Sequence, residues 1–245
     1  YVQMDYWRTF AATAALSLLT ATAQVAVSAL AGYGLARFRF RGRGLLFALI
    51  LVVLLVPPST ILTPLYVRFN YMNLFGIRFS LINTYWPFVL MSLTGLGLKN
   101  GLYIYLVRQF FRGMPDELEE SAYIDGAGNM QALTRIYLPL SKPVIATIAL
   151  MTFLGKWNDW QTSLLYIDNQ KLISLQYLLQ RILNNIDILK QNAEKGIDIG
   201  VSVKDIPSET VRMAMSIVVA GPALIVFPFF QKYFVKGLTV GSVKG

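Results

Sequence analysis

Long apolar runs alternate with short polar interruptions along the 245 residues of this chain. A bilayer crossing takes about 20 apolar residues at about 1.5 Å of helical rise each. Five runs meet that length, over roughly Phe10–Ala36, Leu45–Val67, Leu81–Val107, Pro143–Ile167 and Met213–Gln231, with Phe229–Phe234 closing the last. Pro57-Pro58 breaks the second run midway, and Gly95, Gly97 and Gly101 permit unwinding or close packing in the third. The pattern predicts an all-α, polytopic helical membrane protein, with residues 1–245 forming a single transmembrane domain.

One outer stretch departs from the pattern. Leu172, Leu175, Leu178, Leu179, Ile182, Leu183 and Ile186 recur at helical spacing, with Gln176, Gln180, Arg181, Asn184 and Asn185 opposite. That spacing predicts an amphipathic helix of a few turns, followed by a polar loop over 191–207. Such a helix could dock an external protein, close over a pore as a lid, or simply cap the bundle. Arg181 and Lys190 would pair with acids on a docked partner.

Composition narrows the class further. The chain is 55% hydrophobic and 14% charged, where soluble domains carry about a quarter charged residues. It contains no Cys and no His, which removes the usual catalytic nucleophile pairs, zinc sites and disulfides. The net charge of +9 would point to nucleic acid in a soluble protein. Here the basic residues flank apolar runs, so no nucleic acid is expected and the charge sets orientation. Arg37, Arg39, Arg41 and Arg43 crowd one short loop and place it on the cytoplasmic side. Counting from there, loop 108–142 and the tail with Lys232, Lys236 and Lys244 are also cytoplasmic. Arg68–Ser80 and the long loop Asp168–Arg212 face outward. Tyr1 then lies outside, and a chain with both ends inside requires one more span upstream, six in full.

Loop 108–142 is the most unusual segment. Pro115 suits a first helical turn, and Asp116, Glu117, Glu119 and Glu120 place negative charge at its positive end. Ser121 and Ala122 are small enough to let another surface approach. Asp125-Gly126 breaks the helix, Asn129 can cap a second one over Met130–Tyr137, and Pro139 ends it. The predicted object is a knob of two short helices leading directly into the next span. Read blandly, it is an interfacial loop whose acids are merely solvated.

The spacing Glu120-Ser121-Ala122, Gly126, Ile136, Leu138-Pro139 resembles the coupling loop of bacterial ABC importer permeases, in the carbohydrate (maltose-type) branch. Leu106 to Phe111, Gly155 to Asp159, and the ending Gly237, Leu238, Thr239, Gly241, Val243, Lys244, Gly245 carry the same resemblance over essentially the whole chain. Ser121 departs from the usual Ala. The resemblance implies a type I permease bundle in the bacterial inner membrane, C-terminus cytoplasmic. It implies a homologous second permease, two ABC ATPase subunits and an extracytoplasmic solute-binding protein. Glu119, Glu120, Ser121, Ala122, Asp125, Gly126, Ile136, Leu138 and Pro139 would then couple to the ATPases. No Gly-x4-Gly-Lys-Ser/Thr loop is present, so ATP and Mg belong on partner subunits, and this chain is expected to be no enzyme.

Ionisable groups at membrane depth mark pathways. Lys99 lies nine residues, about 13 Å of rise, from Arg108. It would line a wet cavity and meet an anionic substrate, or else pair with a neighbouring helix. Lys156 and Asp159, three apart on one helix, are expected to pair near the outer interface. Asn83, Trp86, Asn100, Trp157 and Asn158 join Lys99 and Asp159 as candidate pathway residues; aromatic belts at membrane boundaries explain the tryptophans equally well. Gln24 reads as a helix–helix hydrogen bond. The cargo expected is an oligo- or polysaccharide, with Lys99 and Asn100 pointing to a uronate such as alginate. The alternative is a secondary transporter or channel for a small anionic solute. It should carry paired intramembrane carboxylates, and Asp159 is the one acid within a span.

Overall fold

The computed structural model describes residues 6–97, 99–195 and 208–241. Helix α1 (Tyr6–Arg37) runs unbroken for 32 residues and is the axis of the fold. Its buried face is small and hydroxylated, with Thr13, Ser17, Thr20, Ala21, Ser28 and Ala29 turned inward. The hydroxyls donate to carbonyls one turn back, as in Thr20 to Leu16 O (2.7 Å) and Ser28 to Gln24 O (2.7 Å). Polar residues can therefore sit in an apolar interface without orphaned groups, and their small size lets neighbouring helices close in.

Helices α2 (Arg43–Leu55) and α3 (Pro58–Asn70) meet at 103°. Pro57 and Pro58 force the turn, because the residue before each proline is driven to extended backbone. Val56 has ψ 123° and Pro57 ψ 136°. A short hairpin follows, β1 (Met72–Leu74) antiparallel to β2 (Ile77–Phe79), turning on Phe75 and Gly76, both with positive φ. Helix α4 (Trp86–Leu93) is separated by an unwound stretch from α5 (Asn100–Arg112), the main partner of α1. The knob comprises α6 (Glu117–Ile124), α7 (Asn129–Ala132), a π-helical turn over Leu133–Tyr137, and α8 (Leu138–Leu140). The chain then bends by 82° into α9 (Lys142–Trp157). Helix α10 (Trp160–Tyr166), α11 (Leu175–Glu194) and α12 (Ser208–Gly241) complete the order.

The bundle is all-helical apart from the hairpin, but its spans are less regular than five continuous runs. Among the described residues, α1 and the 209–231 part of α12 are unbroken helices long and apolar enough to cross a membrane. Counting each bent pair as one crossing raises this to four. The expected span Leu81–Val107 is two helices, and Pro143–Ile167 ends at Trp157 and restarts at Trp160. The expected outer helix exists as α11, beginning at Leu175. Gln176, assigned to its polar face, is buried, because the first turn of α11 is wedged among α1, α10 and α12. The polar loop expected after α11 lies largely outside the described residues, as do 242–245 of the ending.

Three apolar clusters lie along α1. Tyr33, Tyr103, Val107, Phe111, Tyr137 and Ile148 fill the knob end. Phe69, Phe88, Met91, Tyr166, Ile173 and Leu178 form a second cluster, and Trp157, Leu175, Leu179 and Met215 a third, both involving α11. Thr13 Oγ1 accepts the Leu175 N–H at 2.9 Å. Thr13 and Arg37 are separated by about 36 Å of helix rise, so knob and outer helix attach to opposite ends of α1.

Gly32 sets the approach of α1 to α5. A Cβ there would lie 2.7 Å from Val107 Cγ1 and 3.1 Å from the Arg108 backbone nitrogen, whereas at Gly34 the nearest atom is 3.9 Å away. Gly32→Ala should therefore destabilise the detergent-solubilised protein by about 1–3 kcal/mol. Gly34→Ala should leave it unchanged or raise stability by up to about 1 kcal/mol. Thermal unfolding of the pair checks this.

Candidate coupling knob and polar cavity

Helix α6 ends in a Schellman motif. The Gly126 N–H reaches Tyr123 O (3.0 Å) and the Ala127 N–H reaches Ala122 O (2.9 Å), with Gly126 at φ +79°. Glycine takes that conformation without a Cβ penalty, so the sharp bend falls here. Pro115 lies outside the helix, and Asp116 occupies its N-cap position but turns its carboxylate to Arg37. The second helix starts one residue earlier than expected. Gly128 is its N-cap, with its N–H held by Gln131 Oε1 at 3.1 Å, and Asn129 is already helical. Pro139 does not end it. The missing N–H and the ring of Pro139 are accommodated by widening the preceding turn to a π turn, and the helix runs on to Leu140.

The nine expected coupling residues divide by exposure. Glu120, Ser121, Asp125, Gly126 and Pro139 face solvent, Ile136 and Leu138 are half-buried, and Ala122 is buried beneath α6. Ile124 is 86% exposed and Met130 61%, so the solvent-facing surface of the knob carries apolar side chains beside its acids. Glu119 points inward, its side chain 13% exposed. Its carboxylate accepts from Tyr123 (2.7 Å) and Tyr137 (2.9 Å), with the Tyr33 hydroxyl at 3.5 Å and Arg37 Nε at 3.6 Å. Burial, and then the Glu119 hydrogen bond and charge, push the Tyr123 phenol above its ordinary pKa, keeping it a donor.

A polar cavity of about 220 Å³ opens where α4, α9 and α10 are interrupted. Lys99, Lys156, Asn158 and Asp159 line it, together with Gln24, Trp160 and Gln161. Lys99 sits at the left-handed N-cap of α5, φ 63°, in the break that follows Gly95 (φ 75°). Lys156 and Asp159 form no ion pair among the described residues. Asp159 instead caps α10, its Oδ1 accepting the Thr162 N–H at 2.9 Å. The orphan amide at a helix start outcompetes a lysine displaced by the break in the helix.

Four expected pathway residues stand elsewhere. Asn100 is 1% exposed and closes the α4–α5 break, donating to Gly95 O (3.1 Å) and accepting from Ser28 (2.9 Å). Asn83 Oδ1 accepts the N–H groups of Asp168 (2.6 Å) and Asn169 (3.0 Å) and ties down the loop after α10. Trp157 is 1% exposed, packs edge-on to Phe10 and donates to Val219 O at 3.1 Å. Trp86 is exposed at the start of α4 and does not line the cavity. Conversely, Lys156, Trp160 and Gln161 join the cavity because the chain breaks at Asn158-Asp159. The signal was Asp159 as a helix N-cap rather than as a salt-bridge partner.

Residues 24–240 match the family described as binding-protein-dependent transport system inner membrane component. The chain belongs to this family. A relative of this inner membrane component, Protein LplC of Bacillus subtilis (strain 168), is 40% identical over 166 residues, covering 67% of the chain and 52% of LplC. The polygalacturonan/rhamnogalacturonan transport system permease protein YtcP of the same organism is 35% identical over 165 residues, covering 67% of the chain and 54% of YtcP. The chain thus spans about half the length of these curated relatives. Its fold is similar to a chain in the crystal structure of a bacterial ABC transporter involved in the import of the acidic polysaccharide alginate. The TM-score is 0.70 at 22% identity, over 95% of this chain and 77% of that one.

Within this inner membrane component the role of Asp159 can be checked by thermal unfolding. As a cap, Asp159→Asn should retain stability while Asp159→Ala loses about 0.5–2 kcal/mol. An ion pair with Lys156 would make both replacements costly.

Proposed function

We propose that the chain is the membrane-spanning permease subunit of an ATP-driven ABC importer for oligo- or polysaccharide, working by alternating access. The observation that carries this reading is the knob, a solvent-facing pair of helices with exposed apolar side chains, bent at Gly126 and continuous with α9. Such a surface fits a groove on a separate motor protein. Membership of a binding-protein-dependent family supports the same assignment. Two ABC ATPase subunits would hold ATP and Mg and grip Glu120, Ser121, Asp125 and the exposed Ile124. A homologous second permease would complete the pore, and an extracytoplasmic solute-binding protein would deliver cargo near α11. The knob and the C-terminus would face the cytoplasm of a bacterial inner membrane.

The cavity favours an anionic cargo. Lys99 and Lys156 face a single carboxylate there, and that carboxylate already accepts a backbone N–H. One uronate carboxylate would restore the balance, and Trp160 offers a ring for a sugar face. The names of YtcP and of the alginate importer agree with such a cargo. A secondary transporter is disfavoured because, among the described residues, Asp159 is the one carboxylate lining the cavity, and proton or sodium coupling calls for a pair.

Uptake and ATP hydrolysis in the reconstituted complex test both parts. Glu120→Arg should abolish ATP-driven uptake and weaken recovery of the ATPases with the permease. Lys99→Met and Lys156→Met should each raise the half-saturating concentration of a uronate oligomer about tenfold or more, from loss of a charged hydrogen bond. Uptake of a neutral oligosaccharide should not move. Unchanged uronate uptake in both lysine variants would remove the anionic assignment.

A further inference from the structure

Arg37 belongs by sequence to the basic cluster that sets orientation, yet its environment differs from that of its neighbours. Arg39 and Arg41 are exposed. The Arg37 side chain is 6% exposed at the last residue of α1. Its Nη2 donates to Phe111 O (2.8 Å) and Met114 O (2.7 Å), closing the end of α5. Nη1 bonds Asp116, and Nε lies 3.6 Å from Glu119. The guanidinium also stacks 4.9 Å from the centroid of the Tyr137 ring. One planar group therefore touches α5, the start of α6 and the π turn, using donors held in a fixed fork. Tyr33, one turn back on α1, packs against Tyr137 at 5.2 Å and Phe111 at 6.1 Å.

We infer that Arg37 is the joint that makes the knob and the α1–α5 pair move as one body, a positioning residue for coupling that itself touches neither substrate nor nucleotide. Between α5 and α6 the backbone is a short turn, 113–116, beginning with a glycine. Without the guanidinium that turn is a hinge, and force on the knob would be absorbed there. With it, the two carbonyl hydrogen bonds pin the end of α5 and the start of the turn to α1, and rotation of the knob must break two carboxylate contacts and the Tyr137 ring contact together. Motion is passed instead to α1, which extends past the cavity at Gln24 to the outer helix at Thr13.

This inference rests on the importer reading, so its test has one arm that does not. The chain has no cysteine, so spin labels can be placed at Ile124→Cys on the knob and Leu30→Cys on α1, both exposed. In the full chain in nanodiscs, the inter-label distance distribution should be narrow and should broaden on Arg37→Met. An unchanged distribution overturns the joint whether or not the chain transports anything. In the reconstituted complex, Arg37→Met should raise ATP consumed per molecule imported by about tenfold. Arg37→Lys, which keeps the charge but not the fork, should lie between. A residue that merely stabilised the fold would lower hydrolysis and uptake in proportion, leaving the ratio fixed, and that result contradicts the inference. If Arg37→Met does not assemble, the ratio for Arg37→Lys decides alone. Absence of ATP-driven uptake in the unmodified complex sinks the importer reading and leaves the distance measurement to judge the joint.

Discussion

Inside a bilayer, a backbone group left without a partner costs several kcal/mol, and this fold is organised by how its broken helices satisfy that demand. Among the described residues, a polar side chain supplies a missing bond at three helix boundaries. Asn100 closes the gap between α4 and α5, Asp159 starts α10, and Arg37 closes the end of α5. At Pro57-Pro58, proline removes the donor instead of supplying a partner. The polar residues of the membrane domain thus repair the backbone, line a cavity or, as at Asp159, do both.

That division places function along α1. Gln24, at the cavity, is thirteen residues or about 20 Å of rise from Arg37 at the knob. Beyond it, Thr13 holds the first turn of α11. A single unbroken helix therefore connects the knob, the polar cavity and the first turn of α11. The small, self-satisfied hydroxyls of α1 let α5 approach to contact at Gly32, so the connection is close-packed as well as continuous. Interdigitated helices of this kind shift as rigid pieces.

The long apolar runs, the amphipathic outer helix and the bent knob were legible because each depends on local chemistry: hydrophobic length, helical spacing, and a glycine at a left-handed position. Gly126 is the clearest case, since the chain must turn there whatever packs around it. The breaks at Gly95–Lys99 and Asn158-Asp159 were harder, because apolar length alone reads through them. Their consequence was to misassign side chains. Lys156 and Asp159 look like a helical pair until the helix between them ends, and Asn100 looks like a ligand until its two hydrogen bonds are spent on Ser28 and Gly95. Arg37 was hidden differently. A basic residue beside a membrane span has a sufficient topological explanation, and the four groups it holds lie more than seventy residues away in sequence.

The central claim is that the knob is a handle turned from the cytoplasm by a separate nucleotide-hydrolysing protein. A single cysteine at Ile124, exposed on the knob, can be challenged with a membrane-impermeant maleimide in inside-out vesicles and in spheroplasts. The account predicts rapid labelling from the cytoplasmic side alone, and protection once ATPase subunits are bound. Labelling from the outer side, or labelling unaffected by those subunits, would contradict it.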